Sequence, residues 1–269
     1  FSSLKFYEKT RHKEYQNIYQ KSISIHKDVH HESVENQNFH SSFYKNYYKN
    51  LPLLSSSHNH ASFAHQFQNF PAIICSEGVS LKKNLHLLEH LHKSALIFAS
   101  EPAFNHLSLS NCPPHFACFN SINDPFKKNI SPYHHYETPL FYSDRVHPTS
   151  LAQHQGEKIY VSSSDPFSIS EWFNEELGIP QSISKTCISS STLAISIASA
   201  MACDPIILVG MDFASSLSQK FHSNISYIDI YGNPIKVSLE NLEEMQWTSS
   251  FVKKRSEQRF FNASTSGIP

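Results

Sequence analysis

Residues 203–214, Cys-Asp-Pro-Ile-Ile-Leu-Val-Gly-Met-Asp-Phe-Ala, constrain this chain more than any other stretch. Ile206 to Val209 are a continuous apolar run, opened by Asp204-Pro205 and closed by Gly210. An antiparallel strand with one wet face alternates apolar and polar residues. A run without alternation reads as a strand buried on both faces of a parallel sheet. Asp212 follows, separated from Gly210 only by Met211. Ligands of open α/β sheets bind outside the carboxyl ends of the strands. A carboxylate held there by a rigid strand is placed to meet a ligand hydroxyl, a metal or a proton. The same residue also suits plain capping of the next turn, and both readings stand at this stage.

The chain has 269 residues, 39% of them hydrophobic and 13% aromatic, which suits one large α/β domain with an extension. A formal charge of −1 and a pI near 7.1 give no electrostatic case for nucleic acid or an anionic membrane. No apolar run approaches the roughly 18 residues of a membrane span. The start, Phe1-Ser-Ser-Leu-Lys, lacks the apolar core of a signal peptide. It also lacks an initiator Met, which fits a fragment or a processed form. The cysteines (Cys75, Cys112, Cys118, Cys187, Cys203) show no C-x-x-C spacing, and Cys75, Cys187 and Cys203 sit in or beside apolar segments. They read as small buried hydrophobes in a reducing cytoplasm. Six scattered glycines exclude a Walker A loop, a G-x-G-x-x-G fingerprint and a G-x-S-x-G elbow. Any phosphate site must therefore use a single glycine or a helix N-terminus.

Residues 1–69 are polar and aromatic and read as an appended helical extension, with a helix over 5–30 and a weaker pattern over 31–67. From residue 70 to 269 the pattern is regular. Strands are expected at Ala72–Cys75, Ala95–Ala99, Phe116–Phe119, Leu140–Tyr142, Ile159–Val161 and Ile206–Val209. Helices are expected at Leu81–His92, Pro102–Leu107, 169–177, Thr192–Ala202 and Leu239–Arg259, with a turn at Gly232-Asn233-Pro234. Strands alternating with helices imply βαβ units and an α/β fold with a mostly parallel sheet flanked by helices.

Two turns carry candidate chemistry. In Ser76-Glu77-Gly78-Val79-Ser80 one glycine permits a tight turn, and Ser80 is a suitable N-cap for a helix starting at Leu81. In Lys185-Thr-Cys-Ile-Ser-Ser-Ser-Thr192, five hydroxyls crowd a helix start. Capping needs only one or two of them, and the surplus favours phosphate or sugar oxygens. Histidines number 18, and His86 and His90 have the i, i+4 spacing of a metal pair. However, Leu81, Leu85, Leu88 and Leu91 mark the buried face, so both histidines read as solvated. The loop pair His134-His135 has no companion ligands. His222, ten residues past Asp212, reads either as an acid, base or phosphate contact in the same crevice or as an exposed loop histidine.

These segments, in this order, resemble the DUF115, or MptE-like, family, which includes motility-associated-factor (Maf) glycosyltransferases and archaeal 6-hydroxymethylpterin diphosphokinases. The resemblance spans 70–269 and is strongest from Ser189 to Ala214. Lys220-Phe-His222, Tyr231-Gly-Asn-Pro and Phe261-Asn-Ala-Ser-Thr-Ser-Gly267, a degenerate "NATEGG", match more weakly. It implies a Rossmann-like nucleotide-binding domain that transfers a nonulosonic acid sugar from a CMP-linked donor to protein Ser/Thr, or diphosphate from ATP to a pterin. By position it implies a nucleotide site at Ser76, Gly78, Ser80, Asn120, Ser189, Ser190, Thr192 and Gly210, with Asp212 and His222 nearest the chemistry. The first turn departs from the family's G-x-G-P-S, having lost a glycine and gained Glu77 where phosphate would approach. Asn120-Ser121 replaces an Asp-Pro, which recurs later as Asp124-Pro125, and Thr265-Ser266 replaces the closing Glu-Gly. The leading expectation is a glycosyltransferase-like protein with a nucleotide-sugar ligand, a protein acceptor and no required cofactor. Diphosphate transfer, which would need Mg²⁺, is one alternative. A catalytically inactive nucleotide-binding or scaffold protein is the other.

Overall fold

The computed structural model describes residues 10–110, 112–123, 137–162, 168–180, 187–214 and 225–268. The chain divides into two units, Phe1–Ser42 and Phe43–Pro269. One helix, α1 (His12–Leu54), crosses that division. It runs well past residue 30, through the Ser-, Asn- and His-rich segment where the sequence carries the weaker helical pattern. In the first unit Arg11 Nη1 lies 3.1 Å from Glu14 Oε2, an exposed pair one turn apart. No helix among the described residues is long and apolar enough to cross a membrane.

The second unit is built on β1 (His58–Asn59), β2 (Ala72–Cys75), β3 (Leu96–Ser100), β4 (Phe116–Phe119), β5 (Leu140–Ser143), β6 (Lys158–Val161) and β7 (Ile206–Val209). A hairpin of β8 (Ile225–Ile228) and β9 (Pro234–Val237) follows, and then β10 (Phe260–Asn262). The main sheet has the order β1-β6-β5-β4-β3-β2-β7-β10, and every neighbouring pair is parallel. The continuous apolar runs at 72–75, 116–119 and 206–209 form strands with the expected bounds. Their residues pair in register, Ile73 opposite both Ile97 and Ile207.

Helices cover both faces. They are α2 (Val79–Leu91), α3 (Glu101–Ser108), α4 (Pro148–Gln153), α5 (Ser168–Glu176), α6 (Ser190–Ala200) and α7 (Leu239–Lys253). Alternate strand residues feed two cores. Ala72, Ile74, Phe98, Phe116 and Leu208 pack with Leu193, Ile197, Trp247 and Phe251 of α6 and α7. Ile73, Ile97, Ala117 and Phe119 pack with Leu81 and Leu88 of α2 and Phe104 and Leu107 of α3. All five cysteines are buried and free. On α2, Leu81 and Leu88 are buried, whereas Leu91 is exposed along with His86 and His90.

The chain leaves β2 outward through β3, β4, β5 and β6, then returns to place β7 on the other flank of β2. The order of travel therefore reverses between β2 and β7. That reversal opens the crevice in which doubly wound sheets take ligands.

Candidate functional site

The two turns at that reversal are locked together. Gly78 N donates to Gly210 O at 2.8 Å, and Ser76 N donates to Val209 O at 2.9 Å. A Cβ on Gly78 would collide with Gly210 O and lie 2.6 Å from Asp212 Oδ2. Gly210 has φ +74, and a Cβ there would strike Ser76 O. Both glycines are thus required by close approach, and Gly210 by its left-handed backbone as well. Asp212, 3% exposed, turns its carboxylate onto the first turn of α2. Its Oδ2 accepts from Ser80 N at 2.9 Å, and its Oδ1 accepts from Ser80 Oγ. Helix α2 starts at Val79 with Gly78 as N-cap and no capping side chain of its own. Ser80 is therefore not the cap expected from sequence. The capping oxygen comes from Asp212, 132 residues away, and its charge sits favourably at the helix N-terminus.

The hydroxyl run at the start of α6 faces the same edge, and the structure gives each of its four described hydroxyls, Ser189 to Thr192, an internal partner. Ser189 caps the helix: Thr192 N donates to Ser189 Oγ at 3.1 Å, and Ser189 N to Thr192 Oγ1 at 2.9 Å. Ser189 Oγ also donates to Glu244 Oε1 of α7 at 2.5 Å. Ser190 Oγ accepts from Asn120 N at 3.1 Å, tying α6 to the end of β4. Ser191 Oγ donates to Ser76 Oγ at 2.9 Å, tying it to the end of β2. Asn120 in turn donates through Nδ2 to Cys187 O at 2.9 Å and accepts from Ser143 Oγ at 2.5 Å. The surplus of hydroxyls thus has a structural use: one helix start is stitched to two strands and a helix.

Glu244 is the residue the sequence did not single out. Nothing in its local pattern marks it, because its partners lie 55 residues back in the chain. Burial pushes its carboxyl pKa up. Hydrogen bonds from Ser189 and Ser191 work against that rise, and the charge of Glu77 adds to it. With Asp212 and Glu77, it gives the edge a negative character that opposes direct approach of a phosphate.

Ser76, Gly78, Ser80, Asn120, Ser189, Ser190, Thr192, Gly210 and Asp212 therefore meet at the carboxyl edge of β2, β4 and β7. His222, the loop pair His134-His135, Asp124-Pro125, Lys185, Thr186 and Lys220 lie outside the described residues. Both Asp212 oxygens already accept from Ser80, and among the described residues no three His, Cys, Asp or Glu side chains converge. A cavity of about 720 Å³ lies at the opposite edge of the sheet, against Asp204, Ser199, His65, Lys254, Arg255 and Gln258. It contains none of the candidate residues.

The family described as 6-hydroxymethylpterin diphosphokinase MptE-like matches residues 45–217. Among solved structures, the Maf glycosyltransferase from Magnetospirillum magneticum AMB-1 superposes with a TM-score of 0.63 at 16% identity. The match covers 78% of this chain and 36% of that one, so this chain spans little more than a third of that structure's length. Its fold is shared. No curated protein matches the chain.

Proposed function

The chain belongs to the MptE-like family, and on that premise we propose that it is a transferase-like protein acting on a nucleotide-activated sugar. The observation that carries the reading is the convergence of the β2, β4 and α6 termini with Asp212 at the strand-order reversal. Ser76, Gly78, Ser80, Asn120, Ser189, Ser190, Thr192 and Gly210 would frame a nucleotide. Asp212 and His222 would stand nearest the reacting atoms. In the step, an acceptor hydroxyl oxygen bonds to the anomeric carbon of the donor sugar. The bond from that carbon to the nucleotide phosphate breaks, and the phosphate leaves with the electron pair. The hydroxyl proton passes to a base, His222 or Asp212. For Asp212 to serve, Ser80 Oγ must first turn away from Oδ1. A CMP-linked nonulosonic acid as donor and a protein Ser/Thr as acceptor are the finer reading, in keeping with the fold of the Maf glycosyltransferase. Diphosphate transfer to a pterin is the reading that the family's description favours.

A specific observation favours a second reading, that of a catalytically inactive binding protein. The N-terminus of α2 is already filled by Asp212, and Ser189 is held by both Thr192 and Glu244. A thermal-shift and calorimetric panel of CMP, CDP, UDP, GDP and ATP, each with and without Mg²⁺, separates these readings. Stabilisation by CMP without metal supports glycosyl transfer, and magnesium-dependent stabilisation by ATP supports diphosphate transfer. A folded sample stabilised by none of them contradicts the enzyme readings.

A further inference from the structure

The candidate residues at the carboxyl edge spend their hydrogen bonds on one another, so the unspent capacity lies elsewhere. Near that edge, three consecutive residues of one loop carry it. The side-chain oxygens of Ser264, Thr265 and Ser266 are all buried and have no hydrogen-bond partner among the described residues. Buried polar atoms are nearly always paired, because an unpaired hydroxyl shut away from water costs about 1–3 kcal/mol. Three in a row, in a loop only partly buried as a whole, call for a partner that the protein does not itself supply.

The loop's position is fixed by its backbone. Ala263 N donates to Leu208 O at 2.8 Å at the end of β7, and Ile268 N donates to Asp212 O at 2.9 Å. Gly267 packs against the Asp212 backbone so closely that a Cβ would collide with its carbonyl. On the outer side, Ile230 N donates to Gly267 O at 3.0 Å and Tyr231 Oη to Thr265 O at 2.9 Å. The β8–β9 turn thus clamps the loop from outside while Asp212 anchors it from within. The conformation is specified without any help from the three hydroxyls.

We propose that Ser264, Thr265 and Ser266 form a subsite for the polyhydroxylated part of a ligand bound at the β2–β7 reversal. This rests on the nucleotide-sugar reading above. Neutral hydroxyls both donate and accept, which matches sugar or ribose hydroxyls. The loop itself, Ser264-Thr265-Ser266-Gly267, has no basic side chain with which to hold a phosphate.

The test replaces all three residues in one variant, S264A/T265V/S266A, and measures two quantities. The first is the melting temperature without ligand. Removing unpaired buried hydroxyls relieves a desolvation cost, so the variant should melt at the same temperature as wild type or above it. The second is calorimetric affinity for CMP, for CMP-linked N-acetylneuraminic acid and for inorganic pyrophosphate. Loss of two or three hydrogen bonds corresponds to roughly tenfold weaker binding or more. A loss that extends to CMP itself identifies ribose as the occupant. A loss confined to the extra affinity of the CMP-linked sugar identifies the sugar, and both outcomes support the subsite. Unchanged affinities, an equal loss for pyrophosphate, or a melting temperature several degrees below wild type would each overturn it. If wild type binds neither CMP compound, the nucleotide-sugar reading itself has failed, and the subsite fails with it.

Discussion

Replacing Gly78 with alanine tests the close approach on which the whole site depends. The backbone at Gly78 has φ −59, which alanine adopts freely, so the cost is one of space and not of conformation. The new Cβ would lie 2.6 Å from Asp212 Oδ2 and closer still to Gly210 O, where ordinary contact begins at 3.4 Å. Each neighbour must retreat by about 0.8 Å or more, the difference between those distances. That movement stretches the 2.8 Å bond from Gly78 N to Gly210 O and both bonds from Ser80 to Asp212. A net ~1 kcal/mol for the neutral bond and ~2 for the carboxylate contacts give about 3 kcal/mol. The smaller unfolded-state entropy of alanine offsets roughly 0.5 kcal/mol of this. At roughly 2–4 °C per kcal/mol for a chain near this size, the melting temperature falls by about 8 °C. The comparison is Gly178→Ala: nothing lies within 4 Å of that Cβ, but φ is +64, so only backbone strain of about 1 kcal/mol applies. Circular dichroism melts and urea titrations of both variants decide the matter. If Gly78→Ala costs no more than Gly178→Ala, the packing argument is refuted.

Three further predictions follow from single groups. Ala202 closes α6 with φ +62, a left-handed position that glycine fills without strain, so Ala202→Gly should gain about 1 kcal/mol in urea unfolding; a loss contradicts this. Burial lowers the His60 pKa to about 4, so the unfolded chain binds its proton first, and stability falls as pH drops from about 6.5 to 4. The loss amounts to about 3 kcal/mol at 1.36 kcal/mol per pH unit, and His60→Leu should flatten the urea midpoint across that window. Glu244 behaves oppositely: with its folded pKa raised, its protonated form favours folding, and stability falls as pH rises out of the ordinary carboxyl range. Glu244→Gln should remove that slope and be more stable than wild type at pH 7; an unchanged slope places Glu244 outside the buried cluster.

The elements most legible in the sequence were those whose energy is local or apolar. Runs such as Ile206–Val209 and Phe116–Phe119 are buried on both faces, so their hydrophobicity marks their ends without help from elsewhere. Strands β1 and β10 were invisible because each pairs on one side only and presents polar or exposed residues, His58, Asn59 and Phe261 among them. The β8–β9 hairpin showed only as its turn at Gly232, and α4 was hidden by its length of six residues. Helix α7 stops at Lys253, and the chain turns into β10 by residue 260.

At the site the sequence marked which residues sit at strand ends, but not what they bond. The partner of Ser80 is Asp212, that of Ser189 is Glu244 and that of Ser190 is Asn120. Those pairings depend on strand order, which periodicity does not encode. The unpaired loop at 264–266 was legible only as a weak motif match, because its significance lies in the partners that are missing.

Amide hydrogen exchange with and without a stabilising nucleotide tests the central claim most directly, because it locates the ligand on the sheet. Binding at the β2–β7 reversal predicts slowed exchange at 76–81, 189–193 and 262–268. The opposite edge, 64–69 and 254–258 around the large cavity, should stay unchanged. Protection confined to 64–69 and 254–258 would contradict the account and move the ligand to the other end of the sheet.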